Sequence, residues 1–226
     1  TCTDNYMLYD HGPGLNFSEV MLDWFHSIDW NALGVTQHMS FGPQGFYRGS
    51  LEDAEVLVIA DQHSHDDMFS GRALTGEIGQ RFQSYLDKSK KEYAIIRTLP
   101  VDTLDLSSSQ QEAISMDKDV TKGRDALVDA IVDAGKITQI IGVGPIASKI
   151  AKQLAKDYDV SYKGFTTESV TEMSLNIIPR FDLPVHTRYW MGTSGDRAAR
   201  CYRGASSKKV SSGDYYKLYA PRWATK

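Results

Sequence analysis

The sequence predicts a single α/β domain, with three α/β/α layers around a central, mostly parallel sheet. Three observations carry this expectation. Val56–Ala60 is a continuous apolar run of the kind found in buried parallel strands, and Tyr93–Leu99 and Ile137–Val143 read as two further strands. Helical patterns separate them, and strands alternating with helices call for parallel pairing through crossovers. With 226 residues, of which 41% are hydrophobic and 24% charged, the chain can build a core without disulfides or metals.

The elements follow in chain order. An N-terminal segment over residues 1–50 is rich in turn formers at His11-Gly12-Pro13-Gly14 and Gly42-Pro43-Gln44-Gly45. Between these turns, Val20, Met21, Trp24, Phe25 and Ile28 recur at helical spacing, predicting a helix from Phe17 to Trp30 with Ser18 as its cap. Val56–Ala60 is the first strand. A polar loop follows, then a helix from Gly76 to Leu86. Tyr93–Leu99 is the second strand, and Ser107–Met116 and Gly123–Ala134 read as helices. Ile137–Val143 is the third strand, and Pro145 suits the first turn of a helix running to about Lys156. Val160–Tyr162 and Ser174–Ile178 are short strand candidates. In such a sheet ligands bind beyond the carboxyl ends of the strands. The loops at Asp61, Pro100, Gly144 and Pro179 are therefore the places to look, with the pocket expected after Ala60, Leu99 and Ile178.

Charge is unevenly spread. The net charge is −4. Residues 197–226 hold eight basic side chains (Arg197, Arg200, Arg203, Lys208, Lys209, Lys217, Arg222 and Lys226) against Asp214 alone. That segment is +7 and the rest of the chain −11. A local cationic surface is what phosphate contact needs. Tyr202, Tyr215, Tyr216, Tyr219 and Trp223 are interleaved there and could stack on exposed bases. The same residues fit a solvated terminus whose aromatics pack back onto the domain. Cys2 and Cys201 show no metal-ligand spacing, and their pairing is left open. No apolar run approaches the ~18 residues of a membrane span. The chain opens on Thr1 rather than Met, so processing, or excision from a longer protein, is expected.

The most informative stretch is Ala60–Leu86, ADQHSHDDMFSGRALTGEIGQRFQSYL. Ala60-Asp61 ends a strand. Gly71-Arg72-Ala73-Leu74-Thr75-Gly76 follows, with Gly79 as the next glycine of the pattern. This pattern resembles the first motif of the uracil-DNA glycosylase superfamily, closest to its iron–sulfur type and related families. The later turn Ile140-Ile141-Gly142-Val143-Gly144-Pro145-Ile146-Ala147 is similar to that family's later strand-to-helix turn. The resemblance covers roughly residues 45–190. It implies one uracil-DNA glycosylase-like domain over residues 1–226 that hydrolyses the N-glycosidic bond of a flipped base, with DNA as partner. On this resemblance Asp61 orients the attacking water and His186 stabilises the departing base. Gln62 and His63 line the pocket, and Gly71, Arg72, Leu74, Arg97, Ser194 and Arg197 meet the substrate.

The chain departs from the family pattern. The cluster cysteines are absent, so no iron–sulfur cluster and no other cofactor is expected. His63 replaces the family proline and Leu74 the base-stacking aromatic, while Ile96-Arg97-Thr98 stands where the uracil-reading asparagine belongs. The late His-Pro-Ser motif is missing; Pro184-Val185-His186 and Gly192-Thr193-Ser194-Gly195-Asp196-Arg197 are its nearest substitutes. A different modified base, or loss of catalysis, accommodates these changes.

Other chemistries compete for the same residues. Asp61, His63 and His65 form an Asp-x-His-x-His string, and His63, His65 and Asp67 a His-x-His-x-Asp string, both similar to metal-dependent hydrolases. Such sites draw further histidines from later loops, and only His186 follows His65. A local hydrogen-bonded pair is the plainer reading. Gly142-x-Gly144-x-x-Ala147 fits a dinucleotide fingerprint loosely and a tight strand–helix turn better. Asp66 and Asp67 read as solvated acids, and Arg72 as either a phosphate contact or their partner. Two further functions therefore stand beside a glycosylase: a non-catalytic nucleic-acid or partner-binding module on the same fold, and a metal-dependent hydrolase.

Overall fold

The computed structural model describes residues 15–35, 47–49, 51–63, 73–74 and 76–173. Strands β1 (Tyr47–Gly49), β2 (Val56–Ala60), β3 (Tyr93–Arg97), β4 (Gln139–Val143) and β5 (Ser161–Phe165) form one sheet in the order β1-β3-β2-β4-β5. Only β1 runs antiparallel, against β3; the other neighbours are parallel. The helices are α1 (Leu15–His26), α2 (Gly76–Ser89), α3 (Ser108–Ser115), α4 (Lys118–Ala134), α5 (Pro145–Asp157) and α6 (Thr167–Thr171). The α/β class and the mostly parallel sheet thus agree with the sequence pattern. No described helix is long and apolar enough to cross a membrane.

Strand periodicity decides where each apolar side chain goes. Leu57 and Ile59, with Ala94, Ile96 and Ile140, join Trp24 of α1, Leu127 and Ile131 of α4, and Ile150 and Leu154 of α5 in one apolar cluster. Val56, Val58 and Ala60, with Ile95, Ile141 and Val143, join Phe82 and Leu86 of α2 and Val170 of α6 in another. Successive residues of a strand point to opposite faces, so an uninterrupted apolar run requires cover on both. Each fully buried Leu or Ile in these runs contributes about 1.5–3 kcal/mol.

Several boundaries differ from the sequence reading, each for a local reason. Helix α1 begins at Leu15, so Ser18 lies inside it rather than capping it. It stops at His26, and the chain turns so that Trp30 stacks on Phe25 and donates its indole N–H to the Phe25 carbonyl at 2.9 Å. Helix α4 starts before Gly123. Asp117 caps it by accepting from the amides of Asp119 and Val120. Gly123 is a packing site and not a start: a Cβ there would lie 2.0 Å from Cδ1 of Trp24, whose indole also donates to the Val120 carbonyl at 3.1 Å. Strand β1 is three residues long and carries no alternation to read. Strand β5 is an exposed edge, and it runs Ser161–Phe165 instead of Val160–Tyr162. The strand candidate Ser174–Ile178 lies outside the described residues.

The strand order reverses between β2 and β4. From β2 the chain crosses to β3 on one side; from β4 it crosses to β5 on the other. Loops leaving two such strands part from each other and open a crevice beyond their carboxyl ends. Asp61 follows β2 and Gly144 follows β4, so both stand at that crevice.

Candidate active site

Asp61 is held from three directions. Its amide donates to the Val143 carbonyl at 2.9 Å, extending the β2–β4 ladder by one residue. The side chain then reaches the first turn of α5. Oδ2 accepts the Ile146 amide at 3.0 Å and Oδ1 the Ala147 amide at 3.1 Å. These amides have no partner within the helix, and the positive end of the helix dipole favours a carboxylate there. From β3, the Thr98 hydroxyl lies 2.8 Å from Oδ1 and 3.1 Å from the Ala60 carbonyl. A hydroxyl has one proton to give. The Thr98 amide already serves the Ala60 carbonyl at 3.0 Å, and the carboxylate is the stronger acceptor, so the hydroxyl proton goes to Asp61.

Gly144 makes this approach possible. Its φ of +104° is disfavoured for L side chains, and a Cβ there would lie 2.3 Å from Oδ2 of Asp61. The segment Gly142–Ala147 is therefore a tight strand-to-helix turn. The amides that would cradle a dinucleotide phosphate are bonded to Asp61 instead.

Burial pushes the Asp61 carboxyl above its ordinary value. The Thr98 hydroxyl, the Ala147 and Ile146 amides and the charge of His63 pull it down, and offset only part of that rise. A carboxylate offers about four acceptor positions. Three are filled by these donors, two on Oδ1 and one on Oδ2. Among the described residues no donor takes the fourth position, on Oδ2, which suits a water or a substrate proton. A fixed, half-buried carboxylate with raised basicity and one open lone pair can act as a general base.

Gln62 is used differently. Its Oε1 accepts from Nη2 of Arg97 at 2.9 Å and from the Thr103 amide at 3.1 Å, and its Nε2 donates to Asp102 at 2.8 Å. Arg97, 2% exposed, also donates to the Val101 carbonyl at 3.1 Å. Together they brace the loop after β3. His63 is half-buried, with Nδ1 3.4 Å from the Thr167 hydroxyl at the start of α6. Leu74 is 1% exposed within the apolar cluster of α2, at φ +52°. Its carbonyl accepts from Arg48 at 2.5 Å and faces Gly79, where a Cβ would lie 2.0 Å from it.

The structure thus gathers Asp61, Gln62, His63 and Arg97 at the carboxyl ends of β2 and β3, and sets Leu74 in the core beneath α2. Gly71, Arg72, His65, Asp67, His186, Ser194 and Arg197 lie outside the described residues. Among the described residues, no group of three His, Cys, Asp or Glu side chains could hold a metal ion.

Two participants escaped the sequence reading. Thr98 stands one residue past β3 and looks like any polar strand end. Arg124 carried a legible signal: it falls on the apolar stripe of α4, among Val120, Leu127, Val128 and Ile131, where a cation is out of place. It is 1% exposed and donates to the Thr98 carbonyl at 3.1 Å and the Ser115 carbonyl at 2.9 Å. The chain matches no protein-family model and no curated protein sequence.

Proposed function

We propose that this chain is a DNA glycosylase-like hydrolase of the uracil-DNA glycosylase type, in the three-layer arrangement of that family, acting on a flipped, modified base. The observation that carries this reading is Asp61: a carboxylate at the point where the strand order reverses, fixed by three donors and open at one position of Oδ2. That position accepts a hydrogen bond from water. The water oxygen bonds to the sugar carbon as the N-glycosidic bond breaks. The bonding pair leaves with the base, and the water's proton passes to Asp61. Burial raises the carboxyl's basicity, which favours this transfer. The basic residues of 197–226 supply phosphate contacts, and binding weakens as salt rises.

A second reading has its own support. Both lone pairs of the Gln62 amide oxygen are occupied, Arg97 is buried in the same brace, and Leu74 lies in the core. A chain that spends its expected base-reading side chains on scaffolding suits a nucleic-acid-binding module on the same fold.

The test is base release from oligonucleotides carrying uracil, other deaminated bases and bulky modified cytosines, with and without EDTA. EDTA-resistant release of one base is expected. No release from any strand, by a protein that still binds DNA, favours the binding module. Release abolished by EDTA favours a metal-dependent hydrolase.

A further inference from the structure

We infer that Arg124 is a positioning residue for Asp61: it clamps the Thr98 carbonyl from beneath, and so aims the Thr98 hydroxyl at Oδ1 of Asp61. The inference rests on the reading of Asp61 as the water-orienting group.

The geometry forms a relay across three elements. Arg124 rises from α4 and bridges the end of β3, through Thr98, to the end of α3, through Ser115. Thr98 is held at every polar atom. Its amide serves the Ala60 carbonyl, its carbonyl accepts from Arg124, and its hydroxyl serves Asp61. Only the hydroxyl has an alternative, since the Ala60 carbonyl lies 3.1 Å away. A small rotation of the Thr98 peptide would carry the hydroxyl oxygen beyond reach of Oδ1. The Arg124 contact fixes the peptide against that rotation.

Fold stability alone does not account for an arginine here. A buried cation costs several kcal/mol to desolvate. Its two hydrogen bonds go to neutral carbonyls, and Nε finds no acceptor among the described residues. An apolar side chain would complete the stripe of α4 without that cost. Burial pushes the guanidinium down to about 10, with the carboxylates of Asp125 and then Asp61 opposing, so it stays cationic at neutral pH. At Asp61, the influences are burial, Thr98, the Ala147 and Ile146 amides and His63, in that order. Arg124 also feels the Asp61 carboxylate, so a through-space attraction accompanies the placement of Thr98.

Two measurements on Arg124→Met and Arg124→Lys test this. The first is a crystal structure of each variant. The Thr98 hydroxyl is expected to leave Asp61 in both, because neither side chain can reproduce the two-pronged bridge. A Thr98–Asp61 contact kept at 2.8 Å in either variant overturns the inference, whatever the chain's activity. Should the Met variant not fold, the Lys variant, which keeps the charge, carries the test alone.

The second is single-turnover base release. The catalytic rate is expected to fall by on the order of 10²-fold, as for misplaced catalytic groups, with oligonucleotide affinity unchanged because Arg124 is buried. In a Thr98→Val background the Arg124 changes are expected to add little further loss. Weaker DNA binding at an unchanged rate, or fully additive losses, would refute the relay. Absence of base release by the wild-type chain would instead refute the glycosylase reading and leave the crystallographic test standing.

Discussion

Asp61 and Gln62 are neighbours on one loop, both polar, both bonded to β3 or the loop after it, and the crevice uses them in opposite ways. Gln62 fills both lone pairs of its oxygen with Arg97 and Thr103 and ties Asp102 with its amide. Asp61 is bound as firmly, yet its donors occupy three of about four positions and leave one on Oδ2. Saturation makes a brace; a firmly held carboxylate that the described residues leave one acceptor position short of saturation makes a candidate base. The residue that follows a strand is therefore not functional merely for being polar and near the crevice. What matters is how many of its positions the protein itself consumes.

The contrast can be broken by substitution, most severely on the Asp61 side. Gly144→Ala forces a side chain into a backbone region that favours glycine and drives a Cβ against Oδ2. A loss of about 3 kcal/mol or more is expected from backbone strain and overpacking together. Urea denaturation reads it, and an unchanged midpoint would mean that Asp61 does not pack on Gly144. Next comes Gln62→Ala, which takes one acceptor from the buried Arg97 guanidinium and the side-chain acceptor from the Thr103 amide. Unsatisfied buried donors cost roughly 1–3 kcal/mol. Thermal unfolding should show this loss, while Asp61 keeps its three donors. Thr98→Val removes one charge-assisted bond from Asp61, with an expected cost of about 1–2 kcal/mol. Thr98→Ser should restore it.

The smallest effect is on pH dependence, and it sharpens the comparison without disturbing the fold. The folded-state value of Asp61 is raised above 3.8. Between the unfolded and folded values the native chain holds more protons, so stability falls as pH rises through that window. Asp61→Asn removes this contribution. Its unfolding free energy should fall less steeply than wild type as pH is raised above about 4. Identical slopes would indicate an Asp61 carboxyl with an ordinary value. Gln62 variants should leave the slope alone.

Much of the fold was legible because burial on both faces leaves a continuous apolar run, as at Val56–Ala60 and Tyr93–Ile96. The edges were less legible for the same reason. Strand β5 is exposed and β1 is too short to show a period. Gly123 misled the helix boundary because a glycine that admits the Trp24 ring looks, in sequence, like a glycine that bounds a helix. At the site, Asp61 stood out by its place after a strand. Its donors did not, since the Ile146 and Ala147 amides belong to a helix start 85 residues away and backbone groups leave no trace in residue type. The mutual bonding of Arg97 and Gln62 follows from distances that no sequence pattern encodes. Arg124 was the exception, a cation written into an apolar stripe.

The most direct test of the central claim compares Asp61→Asn with Gln62→Ala in single-turnover release of the same base from the same oligonucleotide, in EDTA. Asparagine keeps the shape but cannot take the water's proton, so the Asp61 variant should lose about 10²–10⁴-fold in rate. The Gln62 variant, if folded, should stay within about tenfold of wild type, because its partners are structural. An Asp61→Asn protein that releases base at the wild-type rate, or a Gln62→Ala protein that loses as much as it does, would contradict the account.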